Sequence, residues 1–135
     1  MAGYSGTPLA RKLGIREGSH VAVVAAPDGF ADQLALPAGV RLRTQARGRL
    51  DVVVFFATRR AELSRRFPAL QRTLEPAGGL WIAWPKRTSG VATDLSDGVV
   101  RDVGLGHGLV DNKVAAIDDI WSGLRFVQRV ADRGR

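Results

Sequence analysis

Residues 78–94 read GGLWIAWPKRTSGVATD. Leu80, Trp81, Ile82, Ala83 and Trp84 make an apolar run too short for a helix and rich in bulky side chains, which predicts a buried strand entered through a turn at Gly78 and Gly79. Pro85 has no N–H to give a ladder, so the strand should end there and the chain should pass into a polar loop over 86–93. Thr93 or Asp94 would then cap the next helix. A strand leading through a polar, glycine-bearing loop into a helix is where open α/β sheets place their ligands.

The flanking segments repeat this alternation. Residues 51–58, DVVVFFAT, are the most hydrophobic run and predict a central strand, and 20–26, HVAVVAA, predict another covered on both faces. Val40, Leu42 and Thr44 alternate with Arg41, Arg43 and Gln45, as in a half-exposed edge strand. Helices are expected over 8–13 (capped by Thr7, closed by Gly14), briefly over 31–36, and over 59–74 with Leu63, Phe67, Leu70 and Leu74 as its apolar stripe. Pro68 should kink or divide that third helix. A fourth, over 94–103, would turn Leu95, Val99 and Val103 inward and end at Gly104 and Gly106. The apolar runs 109–117 and 124–130, joined by the short polar segment 118–123, can only pair antiparallel, and 131–135 should be a disordered basic tail.

These elements assemble into an α/β fold: a Rossmann-like open sheet of four parallel strands plus a C-terminal antiparallel hairpin, with helices on both faces, in a single domain over 1–130. The 20–26 strand is central, the Val40 strand lies to one side, the 51–58 and 80–84 strands to the other, and the hairpin extends the far edge. That topology resembles a class I methyltransferase fold with one strand-helix unit missing. The nucleotide motifs do not follow it. Where a dinucleotide-binding turn carries G-x-G-x-x-G, only Gly29 is present after Pro27 and Asp28, and the next strand ends in Thr44 and Gln45 rather than in an acid for ribose hydroxyls.

The stretches YSGTPLARKLGI, GGLWIAWPKRTSGVATDL and LVDNKVAAIDDIWSGLRFV, which span the chain from Gly3 to Arg129, resemble a small actinobacterial family classed as a domain of unknown function. The resemblance brings no activity, substrate or catalytic residue with it, so function rests on the residues themselves.

Composition narrows the classes. With 135 residues and 45% hydrophobic content the chain suits one compact core. No run nears the roughly 20 apolar residues of a membrane span and the N-terminus lacks a secretion signal's apolar stretch, so a cytoplasmic location without a membrane partner is expected. The absence of cysteine removes disulfides and thiolate chemistry. The formal charge of +7 is spread through arginines with acids between them, the pattern of a solvated surface, and nucleic acid is not the expected partner. The few lysines stand out against those arginines, Lys86 and Lys113 above all.

Two constellations carry candidate chemistry. Lys86, Thr88, Ser89, Gly90, Thr93 and Asp94 combine a cation, hydroxyls and free amides near a helix start, as phosphate or carboxylate binding requires, although Ser89, Thr93 and Asp94 would also serve as plain turn and cap residues. Asp111, Asn112 and Lys113 interrupt an apolar strand, which suggests a bulge, a partner contact or an ion pair of Asp111 with Lys86 or Lys113. Trp121, Ser122 and Gly123 read as the hairpin loop, where an exposed indole would mark an interface with a second copy of the chain. Trp81 and Trp84 read as core or half-buried, and His20 and His107 as ordinary, with no serine-histidine-acid set and no paired metal-ligand spacing. Neither a metal nor a cofactor is expected. The resulting order of readings is a non-enzymatic domain binding a small anionic ligand or regulating a partner, then a small enzyme on an anionic substrate with degenerate methyl transfer as a variant, then a nucleic-acid binder.

Overall fold

Among the residues described by the computed structural model, 7–133, six strands form one sheet. They are β1 (His20–Val24), β2 (Arg41–Arg43), β3 (Leu50–Phe56), β4 (Leu74–Pro85), β5 (Leu109–Ala116) and β6 (Trp121–Gln128), in the order β2-β1-β3-β4-β6-β5. The first four pair in parallel; β6 runs antiparallel to β4, and β5 antiparallel to β6 at the edge. This is the expected Rossmann-like sheet, edge strand and hairpin included.

Period-two alternation in continuous apolar strands sends side chains to two cores. Val53, Phe55, Leu80 and Ile82 turn to one face, where Leu63, Phe67 and Leu70 of α2 (Arg60–Gln71) and Val100 and Val103 of α3 (Asp97–Gly106) cover them. Val52, Val54, Phe56 and Trp81 turn to the other, beneath Ala10 of α1 (Leu9–Lys12), Leu13, Phe30 and Leu34. Each such side chain contributes roughly 1.5–3 kcal/mol on burial. Trp81 is fully buried, and its indole N–H donates to the Leu13 carbonyl at 3.0 Å, which ties α1 to the sheet.

Several local expectations are corrected. Gly78 and Gly79 form no turn before a strand; they lie inside β4, which starts at Leu74 and bulges where Leu50 pairs with Leu74 but Val52 pairs with Gly79. A Cβ on Gly78 would come within 2.9 Å of the Leu50 carbonyl oxygen, so the bulge needs glycine. Leu74 accordingly belongs to β4 and not to the α2 stripe, and α2 passes Pro68 as one segment. The brief helix expected over 31–36 is a 3-10 turn, Ala31–Gln33, and Pro8 rather than Thr7 stands at the N-cap of α1. The expected hairpin loop is displaced: Trp121, Ser122 and Gly123 belong to β6, and the turn is made by Asp118, whose Oδ1 accepts from the amides of Ile120 and Trp121 at 2.8 Å each. In the expected tail, Val130–Asp132 form a 3-10 turn; 134–135, like 1–6 at the other end, lie outside the described residues.

α3 begins at Asp97, not Asp94, and Gly104 and Gly106 lie within it rather than ending it. Gly108, at φ +88°, supplies the left-handed residue just past the C-cap His107. Gly104 is there for packing: a Cβ would run into the Phe126 ring, whereas at Gly106 nothing lies within 4 Å. Two substitutions separate these roles. Gly106→Ala should raise the unfolding free energy by up to about 1 kcal/mol through helix propensity. Gly104→Ala makes the same gain but overpacks the core at a cost of about 1–3 kcal/mol, and should lower it. Urea titration of both variants checks the opposite signs.

Candidate ligand site

The loop after β4 is held at both ends. The Lys86 amide donates to the Ile120 carbonyl at 2.7 Å, which fastens the start of the loop to the hairpin turn. Arg87–Ser89 then form a 3-10 turn closed by Ser89, whose amide and hydroxyl both donate to the Lys86 carbonyl at 3.0 and 2.7 Å, while its Oγ accepts from the Val91 amide at 3.1 Å. Gly90 lies at φ +78°, a conformation that glycine adopts without strain.

The far end of the loop folds over the end of β3. Thr93 Oγ1 donates to the Thr58 carbonyl at 2.6 Å and accepts from the Leu95 amide at 3.0 Å. Asp94 donates its amide to the same carbonyl at 3.3 Å, and its Oδ1 accepts from the Arg60 amide, the first of α2, at 2.7 Å. Arg59, the N-cap of α2, makes no side-chain cap bond, so the carboxylate that a helix N-terminus favours reaches it from 34 residues away. The expected cap of α3 is corrected with it: Ser96 does that work, its Oγ accepting from Val99 N at 3.3 Å. Ser89, Thr93 and Asp94 are thus already bonded within the chain.

Other groups of the loop are not. The Lys86 ammonium and the Thr88 hydroxyl have no partner among the described residues. Both line a hollow of about 860 Å³, with Trp84, Arg87, Val91, Val114 and Ser122 and the carboxylates of Asp94 and Asp97 among its other walls. Trp84 is only 6% exposed and its indole N–H has no acceptor among the described residues, yet among them no fully occluded side-chain nitrogen or oxygen lacks a partner; the N–H therefore reaches open space. Val91 and Val114 are exposed apolar surface, and the half-buried Ser122 hydroxyl is unpartnered among the described residues. Cations, donors and apolar walls meet here at the end of one strand. Ser122 and Val114 escape a reading of sequence because their register against Trp84 and Leu124 is set by long-range pairing.

The second constellation stands apart from this hollow. A bulge falls between Asp111 and Lys113, as expected, but the lysine pairings are corrected. Asp111 Oδ2 accepts from Arg101 Nε of α3 at 3.0 Å, and this hydrogen bond holds the Arg101 guanidinium above its ordinary pKa. Lys113 lies on the opposite face and donates to the Lys12 carbonyl at 3.0 Å. Trp121 is half-buried, edge-on to Phe56 at 5.0 Å, rather than an exposed loop residue.

Where the strand order reverses, between β1 and β3, the chain departs from a nucleotide-binding turn. Ala25 carries a positive φ of 56°, Pro27 offers no amide, and Phe30, 2% exposed, packs edge-on to Phe56 at 4.8 Å. No helix follows, only the 3-10 turn. His107 stacks on Phe67 at 4.8 Å with its Nδ1–H on the Val103 carbonyl, a packed residue. Among the described residues no three histidines or acids come together to hold a metal, and no helix is long and apolar enough to cross a membrane.

No family model and no curated protein sequence matches the chain. Solved structures share its fold. A SAM-dependent methyltransferase from Aquifex aeolicus aligns with a TM-score of 0.65 at 13% identity, over 87% of this chain and 86% of that one. Magnesium protoporphyrin IX methyltransferase from Synechocystis, with bound SAH, aligns with a TM-score of 0.61 at 13% identity, over 89% and 78%. Ribosomal protein L11 methylase from Lactobacillus delbrueckii aligns with a TM-score of 0.59 at 11% identity, over 90% and 75%. At these identities the likeness is one of fold.

The Asp94 tie yields a stability prediction. Asp94→Ala should cost about 0.5–2 kcal/mol, the usual loss on removing a helix cap. Asp94→Asn keeps an acceptor and should lose less. A ranking in which both variants unfold like the parent in urea would show that the contact with Arg60 carries no weight.

Proposed function

We propose that the chain is a small-ligand-binding domain on a methyltransferase-like scaffold, its ligand an anion with an apolar body seated in the hollow at the end of β4. The observation that carries this reading is the unpartnered Lys86 ammonium beside the Trp84 indole N–H, the Ser122 hydroxyl and the apolar Val91 and Val114. The ammonium and the two neutral donors would hold a carboxylate or phosphate, and the valines would cover the remainder. Asp94 and Asp97, which also line the hollow, disfavour a second negative group on the ligand. The kinship with the actinobacterial family, carried by the three quoted motifs, is part of the same proposal.

The fold's neighbours favour a second reading, an enzyme that transfers methyl groups from S-adenosylmethionine. The residues at the corresponding strand ends fit that cofactor poorly. It carries a net positive charge and a ribose diol. The hollow beside Ala25 measures about 370 Å³ and is lined by Thr44, Gln45 and Arg66, with no carboxylate. Arg66 is itself held over the Phe55 ring, 5.1 Å from its centroid, on the wall of that hollow. A buried Phe30 and a proline stand where a cofactor turn needs open backbone amides.

The two readings part in one pair of experiments. Calorimetric titration with S-adenosylmethionine should give no heat of binding; micromolar affinity would restore the methyltransferase reading. Native mass spectrometry of protein from its own host should reveal a retained anionic molecule that disappears in Lys86→Ala, while the melting temperature of that variant stays within about 1 °C of the parent, since a half-buried side chain without a bonded partner contributes little. A bare chain in both preparations would remove the hollow as a ligand site, and a large loss of stability in the variant would make Lys86 structural.

A further inference from the structure

A second cationic site lies on the other face of the sheet, away from the hollow. Arg125 and Lys113 are direct cross-strand partners on β6 and β5, an arrangement that like charges disfavour. Arg125 is half-buried, and its guanidinium lies against the backbone of Gly79 so closely that any Cβ there would collide with it. Glycine inside a strand often marks a close approach to the backbone, and at Gly79 the group that approaches is the guanidinium.

No acid answers this charge. Among the described residues the side chain bonded to Arg125 is the neutral amide of Asn112, whose Oδ1 accepts from Nη1 at 3.3 Å. Lys113 is steadied by the Lys12 carbonyl at 3.0 Å, and Arg133 by the Gln128 carbonyl at 3.3 Å. Burial, and after it the charge of Arg133, lower the Arg125 pKa, and no carboxylate raises it. Neutral carbonyl and amide oxygens thus fix three cations in place and leave their charge unmet, although a desolvated guanidinium is ordinarily paired.

We propose that Arg125, Lys113 and Arg133 form an oxyanion site that takes a phosphate group. The planar fork of Arg125 suits bidentate bonding to phosphate oxygens, and a group carrying up to two negative charges suits a guanidinium with further cations on neighbouring segments better than a single carboxylate does. The phosphate can belong to a small phosphorylated molecule or to a nucleic-acid backbone. This site shares no residue with the hollow at the end of β4 and stands or falls independently of it.

The test is calorimetric titration of the whole chain at low salt with two probes, inorganic pyrophosphate and a short single-stranded oligonucleotide. At least one probe should bind, about tenfold or more weakly to Arg125→Gln and to Lys113→Gln, as expected for the loss of a charged hydrogen bond. Arg72→Gln, an exposed charge at the end of α2 on the opposite face, should bind as the parent does. Pyrophosphate alone would indicate a small phosphorylated ligand. Oligonucleotide binding that falls steeply with salt would indicate a nucleic-acid backbone. Lys113 is exposed, so its variant keeps the test alive if Arg125→Gln fails to fold. The proposal is overturned if neither probe binds, or if binding persists in both variants; loss in Lys86→Gln instead would move the anion to the end of β4.

Discussion

The central strands are buried on both sides, and that constraint governs where this protein can do anything. Val52 to Val54, Phe55 and Phe56 in β3, and Leu80 to Trp84 in β4, lie between the α2 and α3 layer and the α1 layer, all at 6% exposure or less. Polar chemistry is excluded from such strands because an unpaired polar group there costs several kcal/mol. It can appear at the strand ends, where loops leave the sheet, or on the edge hairpin, which the helices cover incompletely. Both of the sites argued above obey that division.

Within it, one loop has two tasks. Its second half is consumed by structure: Thr93 and Asp94 close the end of β3 and cap α2, filling with the chain's own carboxylate a helix N-terminus that would otherwise attract an anion. Its first half is steadied through the backbone of Lys86 and the hydroxyl of Ser89, which leaves the side chains of Lys86 and Thr88 unused. Anchoring a loop by main-chain bonds while its longer side chains stay free lowers the ordering cost of binding.

The sequence carried the sheet because continuous apolar runs and their alternation need no tertiary context, and the residues of β1, β3 and the core of β4 fell where that pattern put them. It misplaced the glycines. Gly79, Gly104 and Gly123 read as turn or stop signals, yet each sits inside a strand or helix because a neighbour presses on it: Arg125, Phe126, and the pair Ile117 and Trp81. The letter that permits a turn also permits close approach, and only the fold says which. Asp94 shows the same limit for polar residues. Its neighbours in sequence suggested a cap for the helix just ahead, and the hydrogen bond it makes spans 34 residues. Of the candidate site, Lys86 and Thr88 were legible as a cation and a hydroxyl in a loop; Trp84, Val114 and Ser122 join them only through strand register.

The fold sets several carboxylates against the main chain. Asp51 accepts from the His20 amide, Asp94 from Arg60, Asp97 from Gly98, and Asp118 from Ile120 and Trp121. These carboxylates are stationed at strand starts, turns and caps, where backbone amides satisfy them. Among the described residues the side-chain ion pairs are Arg49 with Glu75 and Arg101 with Asp111. With these acids bound to the main chain, some basic side chains are left without an ion-pair partner. Lys86 at the end of β4 and Arg125 over Gly79 are two of them, on opposite faces of one sheet. An anion arriving at either would meet a cation without an ion-pair partner, on a backbone already fixed by its own hydrogen bonds, with little main chain left to rearrange.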